Sequence, residues 1–150
     1  FPGYIGGNTD NPTYREICTG LTGHAEVIKV DYDSRVVSLK DVLMIFFSTH
    51  DPTTLNRQGN DVGTQYRSSI FTSNLKEIKI INDYITELNQ SNNYSSPVVT
   101  TIEMENIFYM AEDYHQNYFE MNQNAPYCSM VIKPKLNKFL KKNKSILKEN

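Results

Sequence analysis

Four polar side chains, far apart in the sequence, could together bind a small polar oxygen. Tyr14 and Tyr66 each offer a phenol hydroxyl, and Glu26 and Asp61 each offer a carboxyl group. A hydroxyl can donate a hydrogen bond to an oxygen, and a carboxyl whose pKa is raised can donate a proton near neutral pH. The set therefore suits binding and protonating an oxygen on an otherwise apolar group. It contains no nucleophile.

Glu26 lies in a segment, residues 25–32, whose alternating pattern predicts a strand. Successive side chains of a strand point to opposite faces, so Glu26 shares a face with Ile28 and Val30. We expect this apolar face to be buried, which disfavours the charged carboxylate and raises its pKa. In the alternative interpretation Glu26 lies at the mouth of the strand and pairs with an arginine such as Arg15.

Asp61 and Tyr66 come from a polar stretch, residues 50–67, that has little to bury. Its only aliphatic residues are Leu55 and Val62, and it is rich in Pro, Gly and Asn-Asp turn signals. Long ordered loops of this composition are usually functional. We interpret the stretch as a site loop. The alternative is a solvated linker, which would be richer in Ser and Lys.

Helical and strand-like patterns alternate on both sides of this loop. Ser38 and Asp41 form a capping box for a helix, which ends before Pro52 because the residue preceding a proline disfavours helical geometry. Strands are predicted over residues 66–72 and residues 98–102. This alternation is typical of a two-layer α/β sandwich.

Apolar spacing predicts two further helices. The first begins near Ser73 and has one apolar stripe, made of Leu75, Ile78, Ile81, Ile85 and Leu88. The second is short, and the face that it presents consists of Ala111, His115, Tyr118 and Phe119. Residues 1–13 are dense in Gly, Pro, Asn and Asp and are predicted to be irregular.

Charge divides the chain into an acidic body and a basic tail. Residues 1–132 contain eight Lys and Arg against sixteen Asp and Glu, whereas residues 133–150 contain seven Lys against Glu149 alone. We interpret these ranges as one domain and a basic amphipathic tail lying on it. Binding of nucleic acid by the tail is the less favoured alternative.

The chain contains two cysteines and three histidines, and this small number limits the thiol and metal chemistry that it can perform. Cys18 and Cys128 cannot form a disulfide framework, and no apolar run is long enough to span a membrane, so we expect a reducing cytoplasm. No metal is expected, since none of the histidines has a second ligand at a metal-binding spacing. They are His24, His50 and His115. The sequence also lacks a phosphate loop, a Ser nucleophile elbow and a dinucleotide fingerprint.

Several motifs occur in one characteristic order. They are Asn11-Pro-Thr-Tyr14, Gly23-His-Ala-Glu26, Arg57-Gln-Gly-Asn-Asp61-Val-Gly-Thr-Gln-Tyr66-Arg67 and Ala111-Glu-Asp-Tyr-His115-Gln116. In this order they resemble the peptide methionine sulfoxide reductases of the A type, and the resemblance extends to about Lys135. It implies an enzyme that reduces methionine S-sulfoxide, in oxidised proteins or as free methionine sulfoxide, and so repairs oxidative damage. Thioredoxin or another dithiol would be the reductant, without a cofactor, and the complete protein would be a monomer.

The resemblance also implies roles for individual residues. Glu26 would protonate or polarise the sulfoxide oxygen, and Tyr14 and Tyr66 would hydrogen-bond the same oxygen. Asp61 would belong to the polar network around the nucleophile and the substrate. Substrate-binding positions would be His115, Gly59 and Asn60. Cys128 matches a recycling cysteine and is the candidate resolving thiol, and the alternative is a free surface thiol.

The implied fold is an α/β (α+β) two-layer sandwich with a ferredoxin-like core whose opening strand-helix unit is missing. The family's nucleophile lies in a Gly-Cys-Phe-Trp-Gly motif upstream of the turn at residues 3–7, and this sequence does not contain that motif. Cys18 matches a position that we interpret as structural. We therefore expect a fragment that is inactive and less stable without the missing segment. The alternatives are a non-catalytic module that binds methionine sulfoxide and an interaction protein with a basic tail.

Overall fold

The computed structural model describes residues 1–142. They fall into two compact units that divide after Glu112, Phe1–Glu112 and the described residues from Asp113 onward, and each is described by itself. The predicted boundary between residues 132 and 133 stays a prediction, and the part of the predicted tail from residue 143 onward lies outside the described residues. None of the described helices is long and apolar enough to cross a membrane.

A three-stranded antiparallel sheet lies at the centre of the first unit. Strand β1 (Pro2–Ile5) pairs on one side with β2 (Ala25–Ile28) and on the other with β7 (Tyr109–Met110). The prediction that residues 1–13 are irregular is therefore wrong for β1. Turn residues dominate the composition there, but the buried side chain of Tyr4 provides an apolar anchor for a central strand.

Helix α1 (Tyr14–Cys18) packs on this sheet. Thr13 caps its N-terminus and forms a capping box with Glu16, so each residue's side chain bonds the other's main-chain N–H. Ile17 is fully buried in a cluster with Tyr4. The cap fixes where the helix begins, and the buried isoleucine fixes which face it turns to the sheet.

The buried ring of His24 fastens the loop after β1 to the start of β2. Its Nδ1 accepts the Gly7 main-chain N–H at 3.0 Å, and its Nε2 lies 2.8 Å from the Thr9 carbonyl oxygen. Because Nδ1 accepts, the hydrogen of the neutral ring is on Nε2, which donates to that carbonyl. His24 thus has a structural role that its isolated position in the sequence does not indicate.

Two helices pack together in the other half of this unit, next to a parallel strand pair. They are α2 (Leu39–Thr49) and α3 (Leu75–Gln90), and α3 connects β5 (Ser69–Phe71) to β6 (Thr101–Glu103). The predicted capping box at Ser38 and the end of α2 before the proline are confirmed. Strand β5 lies within the predicted range 66–72 and is shorter, whereas β6 overlaps the predicted range 98–102 only at Thr101 and Ile102.

The core between these helices is formed by Leu43, Phe47 and Ile81, with Ile80, Tyr84, Ile85 and Leu88 packed around it. The predicted stripe on α3 is confirmed for its later members and wrong for Leu75, which is 79% exposed. Leu75 is the first residue of α3 and does not belong to the cluster that packs α3 against α2. The apolar period alone does not show where that contact begins.

The predicted site loop is ordered and contains three short elements. Strands β3 (Arg57–Gln58) and β4 (Asp61–Val62) form an antiparallel hairpin, and a 3₁₀ turn (Thr64–Tyr66) follows. His50 joins the start of the loop to its end, because its Nδ1 lies 2.6 Å from the Phe46 carbonyl oxygen and its Nε2 lies 2.7 Å from the hydroxyl of Ser68.

The second unit consists of short helical segments. They are a 3₁₀ turn (Asp113–His115), α4 (Tyr118–Met121), a π-helical turn (Cys128–Ile132) and α5 (Lys133–Lys142). The single helical face predicted across the first two is wrong, because the chain adopts a left-handed conformation at Asn117, with φ of 51°. Such a residue ends one helical segment before the next begins.

Candidate active site

Glu26 lies on β2 directly opposite the buried Tyr4 of β1. Opposite residues of antiparallel strands point to the same face, so Glu26 faces the side of the sheet on which Tyr4 is covered. The prediction that this whole face is buried is wrong, since Ile28 is 65% exposed and Val30 is also exposed. Glu26 itself is exposed as well, and Ala25 is the one fully buried residue of β2.

The pKa of Glu26 is nevertheless raised, as expected. Desolvation is the larger cause, and the negative charge of Asp61 is the second. In the part of the chain that the structure describes, Glu26 makes no ion pair, so the alternative pairing with Arg15 is not observed. With less hydration and a negative charge nearby, this carboxyl holds its proton to a higher pH than a fully hydrated one.

Tyr14 opens helix α1, and its hydroxyl lies beside the thiol of Cys18, one turn further along. The hydrogen bond with Cys18 is the largest cause that raises the pKa of Tyr14 to about 12, followed by burial and by the charges of Cys18, Glu26 and Tyr66. The phenol therefore stays protonated and able to donate throughout the neutral range.

Tyr66 ends the 3₁₀ turn of the site loop. Burial is the main cause that raises its pKa, and the negative charges of Glu26 and Asp61 add to the effect. The charge of Glu26 raises the pKa of both Tyr14 and Tyr66, and the charge of Asp61 raises the pKa of Glu26. The structure therefore brings together all four residues of the first predicted set. Cys18, which is exposed, lies in the same cluster.

The hairpin explains how Asp61 reaches this cluster. Gln58 and Asp61 face each other across the two-residue turn that Gly59 and Asn60 form. Gly59 has φ of +60°, which the first position of a type II′ turn requires and which glycine adopts without strain. Gly59 and Asn60 are both exposed, so the turn itself presents backbone to solvent.

Gln65 is a site residue that the sequence reasoning missed. Its side chain is 4% exposed, its Nε2 donates to the Cys18 carbonyl oxygen at 3.4 Å, and its Oε1 has no partner within the described residues. Its interaction with the Tyr66 hydroxyl lowers the pKa of Tyr66, opposing the effect of burial. A Cβ on Gly63 would lie 2.2 Å from Oε1, so only glycine leaves room for this amide.

Glu112 is a second residue that sequence spacing did not indicate. One carboxylate oxygen accepts the Tyr14 main-chain N–H at 2.7 Å, and the other accepts the Tyr4 hydroxyl at 2.8 Å. Tyr14 and Glu112 are 98 positions apart in the chain. No local pattern in the sequence could have predicted this contact.

His115 and Cys128, the remaining predicted site residues, belong to the second unit. His115 ends its 3₁₀ turn. Cys128 begins the π-helical turn and is fully buried, so the alternative of a free surface thiol is wrong. Across residues 1–142 no group of three or more His, Cys, Asp and Glu side chains could hold a metal ion.

The arrangement in the first unit can donate several hydrogen bonds to one oxygen. Two phenols whose pKa values are raised remain protonated, and the carboxyl of Glu26 holds its proton unusually well. Such a cluster can bind a polarised oxygen and transfer a proton to it.

Known proteins resemble this chain along nearly all of its length. A family model described as peptide methionine sulfoxide reductase matches residues 1–147. The peptide methionine sulfoxide reductase MsrA of Polynucleobacter asymbioticus is 52% identical over 145 residues, which cover 97% of this chain and 76% of that protein. The protein of the same name from Trichodesmium erythraeum is 52% identical over 139 residues, covering 93% and 78%.

Solved structures agree with this match. Reduced Mxr1 from Saccharomyces cerevisiae superposes with a TM-score of 0.78 at 37% identity, covering 85% of this chain and 72% of that one. Methionine sulfoxide reductase A of Corynebacterium diphtheriae gives 0.67 at 38% identity, covering 81% and 62%. The mixed α/β fold with small sheets is thus similar to theirs, and the chain belongs to the peptide methionine sulfoxide reductase family.

Proposed function

We propose that this chain binds the oxygen of methionine sulfoxide and delivers a proton to it, as part of a peptide-methionine (S)-S-oxide reductase. The observation that carries the proposal is the raised pKa of the Glu26 carboxyl beside the hydroxyls of Tyr14 and Tyr66. Glu26 is the acid, and the two phenols hold the oxygen by hydrogen bonds. Asp61 keeps the proton on Glu26 through its negative charge.

Protonation of the oxygen makes the sulfoxide sulfur electrophilic, so that a cysteine thiolate can attack it. Methionine leaves with its sulfur reduced by two electrons, and the oxygen remains on the attacking sulfur as a sulfenic acid. A second thiol then displaces water from the sulfenic acid and forms a disulfide. We propose thioredoxin or another dithiol as the reductant of that disulfide, and no cofactor.

The sequence does not contain the family motif that holds the nucleophile of this reaction. We propose that residues 1–150 alone bind methionine sulfoxide but do not reduce it, since neither Cys18 nor Cys128 lies in a Gly-Cys-Phe-Trp-Gly motif. Cys128 remains the proposed resolving thiol, although a buried thiol must first become accessible. Substrate contacts by His115, Gly59 and Asn60 are proposed from the family resemblance.

The same resemblance supports the remaining proposals. We propose a ferredoxin-like two-layer core, which is consistent with the parallel pair β5 and β6 joined through α3. We also propose a monomer, substrates that are oxidised proteins or free methionine sulfoxide, and a reducing cytoplasm, which suits the free thiols of Cys18 and Cys128.

Binding can be tested directly with the 150-residue chain. We expect N-acetylmethionine (S)-sulfoxide to shift the NMR signals of Glu26, Tyr14 and Tyr66, and the R epimer and N-acetylmethionine to leave them unchanged. Replacing both phenols, Tyr14→Phe and Tyr66→Phe, removes two hydrogen bonds and should weaken binding roughly 10- to 100-fold. Tyr94→Phe is the matched control, because its hydroxyl bonds the Phe47 carbonyl oxygen instead.

Two assays, one of reduction and one of binding, test the proposed function. Reduction of the sulfoxide with dithiothreitol as reductant would show that a thiol in this chain acts as nucleophile, and Cys18→Ser and Cys128→Ser would identify which. Binding without reduction supports the proposal and is also what a non-catalytic binding module would do. Absence of binding to either epimer would exclude both.

A further inference from the structure

One carboxylate joins the helix that carries Tyr14 to the strand that faces Glu26. Glu112 accepts the Tyr14 main-chain N–H at 2.7 Å through Oε1 and the Tyr4 hydroxyl at 2.8 Å through Oε2. Hydrogen bonds to an ionised acceptor are shorter and stronger than those between neutral groups. The two bonds therefore fasten α1 to β1.

Tyr4 extends this link to Glu26. The two residues are direct partners in the antiparallel register of β1 and β2, and such partners have Cβ atoms about 5 Å apart. The sheet thus fixes Glu26 relative to Tyr4, and Glu112 fixes the start of α1 relative to Tyr4. Tyr14 is the first residue of α1, so its distance from Glu26 depends on both links.

A second carboxylate at the same helix end shows what capping alone provides. Glu16 accepts the main-chain N–H of Thr13 at 2.8 Å and also its hydroxyl at 2.8 Å, in an exposed position. These bonds close the first turn of α1 on itself and do not involve the sheet. Glu112 differs because it satisfies a helix N–H and a strand side chain at once.

We propose that Glu112 is a positioning residue that sets the separation between the Tyr14 hydroxyl and the Glu26 carboxyl by fastening α1 to β1. The inference rests on the proposed function in one respect, namely that these two groups bind the same sulfoxide oxygen. Loss of the Glu112 carboxylate lets α1 move away from the sheet, so Tyr14 loses its place in the cluster while Glu26 stays on β2.

The test compares Glu112→Ala, Glu112→Gln and the control Glu16→Ala in the 150-residue chain. Glutamine can still accept the Tyr14 N–H through its carbonyl oxygen, and its amide can donate to the Tyr4 hydroxyl oxygen. Each variant is measured for unfolding by circular dichroism in urea, for binding of N-acetylmethionine (S)-sulfoxide by NMR, and for ionisation of Tyr14 by its ¹³Cζ shift without ligand. Tyr4→Phe is a milder variant, for use where Glu112→Ala does not fold.

Glu112→Ala should weaken binding about tenfold relative to Glu16→Ala under conditions in which both are folded. In this variant the pKa of Tyr14 should fall from about 12 towards the ordinary value of 10.0, because Tyr14 moves away from the groups that raise it. Glu112→Gln should restore most of both properties, and Tyr4→Phe should give part of the loss. The positioning role is wrong if Tyr14 has the same pKa in Glu112→Ala as in the parent chain. Where Tyr4→Phe is used instead, the same comparison with the parent chain decides. If no chain binds the sulfoxide, the proposed function fails, whereas the ligand-free titration still decides the role of Glu112.

Discussion

Arg67 and Glu103 form a bidentate ion pair, with Nε 2.8 Å and Nη2 3.0 Å from the two carboxylate oxygens. Both side chains are partly buried. The remaining nitrogen, Nη1, donates to the carbonyl oxygens of Gly23 at 3.2 Å and Thr64 at 3.0 Å. Arg67 therefore connects β6, the residues before β2 and the turn that carries Tyr66.

Replacing Arg67 should lower the stability of the fold. We expect Arg67→Met to lower the free energy of unfolding by about 2 kcal/mol, because it leaves a partly buried carboxylate without its charged partner. Arg67→Lys should not restore it, since an ammonium cannot form the bidentate pair. Urea unfolding followed by circular dichroism measures the change. Arg35→Met is the matched control, as Arg35 makes a similar bidentate pair with Asp33 in solvent, and its stability should stay close to that of the parent.

The same pair predicts a dependence on pH. Hydrogen bonding with Arg67 is the main cause that lowers the pKa of Glu103 below its ordinary value of 4.5. A lowered pKa in the folded state gives stability that is fully present above 4.5 and is lost as the pH falls through the folded value. Acid unfolding of Arg67→Met should therefore show a smaller loss of stability below pH 4.5 than the parent chain. An equal loss in both would contradict this.

Glu26→Gln should stabilise the fold while altering the site. The pKa of Glu26 is raised above 4.5 by desolvation and by Asp61, so the folded state is penalised as the pH rises from 4.5 through the folded value. Removing the charge should raise the melting temperature at neutral pH, and the difference should disappear below pH 4.5. Binding of the sulfoxide should weaken with rising pH in the parent and stay constant in Glu26→Gln. A variant that melts below the parent at neutral pH would show that the carboxylate is not desolvated.

Gln65→Met should change the pKa of Tyr66 while leaving its phenol hydroxyl in the site. The Gln65 amide lowers the pKa of Tyr66 and bonds the Cys18 carbonyl oxygen, so its loss should raise the pKa of Tyr66 and weaken sulfoxide binding about threefold to tenfold. The ¹³Cζ shift of Tyr66 over a pH titration measures the first effect. Gln58→Met is the control, because that amide bonds the main chain of Asp51 in the same loop and should leave the titration of Tyr66 unchanged.

Two leucines test the core with identical chemistry. Leu43 is 3% exposed and packs with Phe47 and Ile81, whereas Leu75 is 79% exposed. Leu43→Ala should cost about 3 kcal/mol through lost burial and the cavity that remains. Leu75→Ala should stay within about 0.5 kcal/mol of the parent. Because the chain contains no Trp, circular dichroism is the suitable measurement. Equal costs would mean that the two helices do not pack as described.

The sequence by itself determined the features that depend on neighbours along the chain. The capping box at Ser38, the end of α2 before Pro52 and the later members of the α3 stripe follow from local geometry and helical period, and the structure confirms them. The motifs around Tyr14, Glu26 and Tyr66 indicated which residue types would meet, because a bound oxygen needs donors of that kind.

Only the tertiary structure decided what depends on partners distant in the chain. Turn-rich composition concealed β1, whose pairing with β2 and β7 gives it a central place in the sheet. Strand parity put Glu26 on the face that it shares with Ile28, but it could not show that both side chains are exposed. Gln65 and Glu112 could not be predicted, because hydrogen bonds between positions as far apart as 108 residues leave no periodic signal in a single sequence. The types of the reacting groups are thus local information, whereas their spacing depends on how helix and sheet are joined.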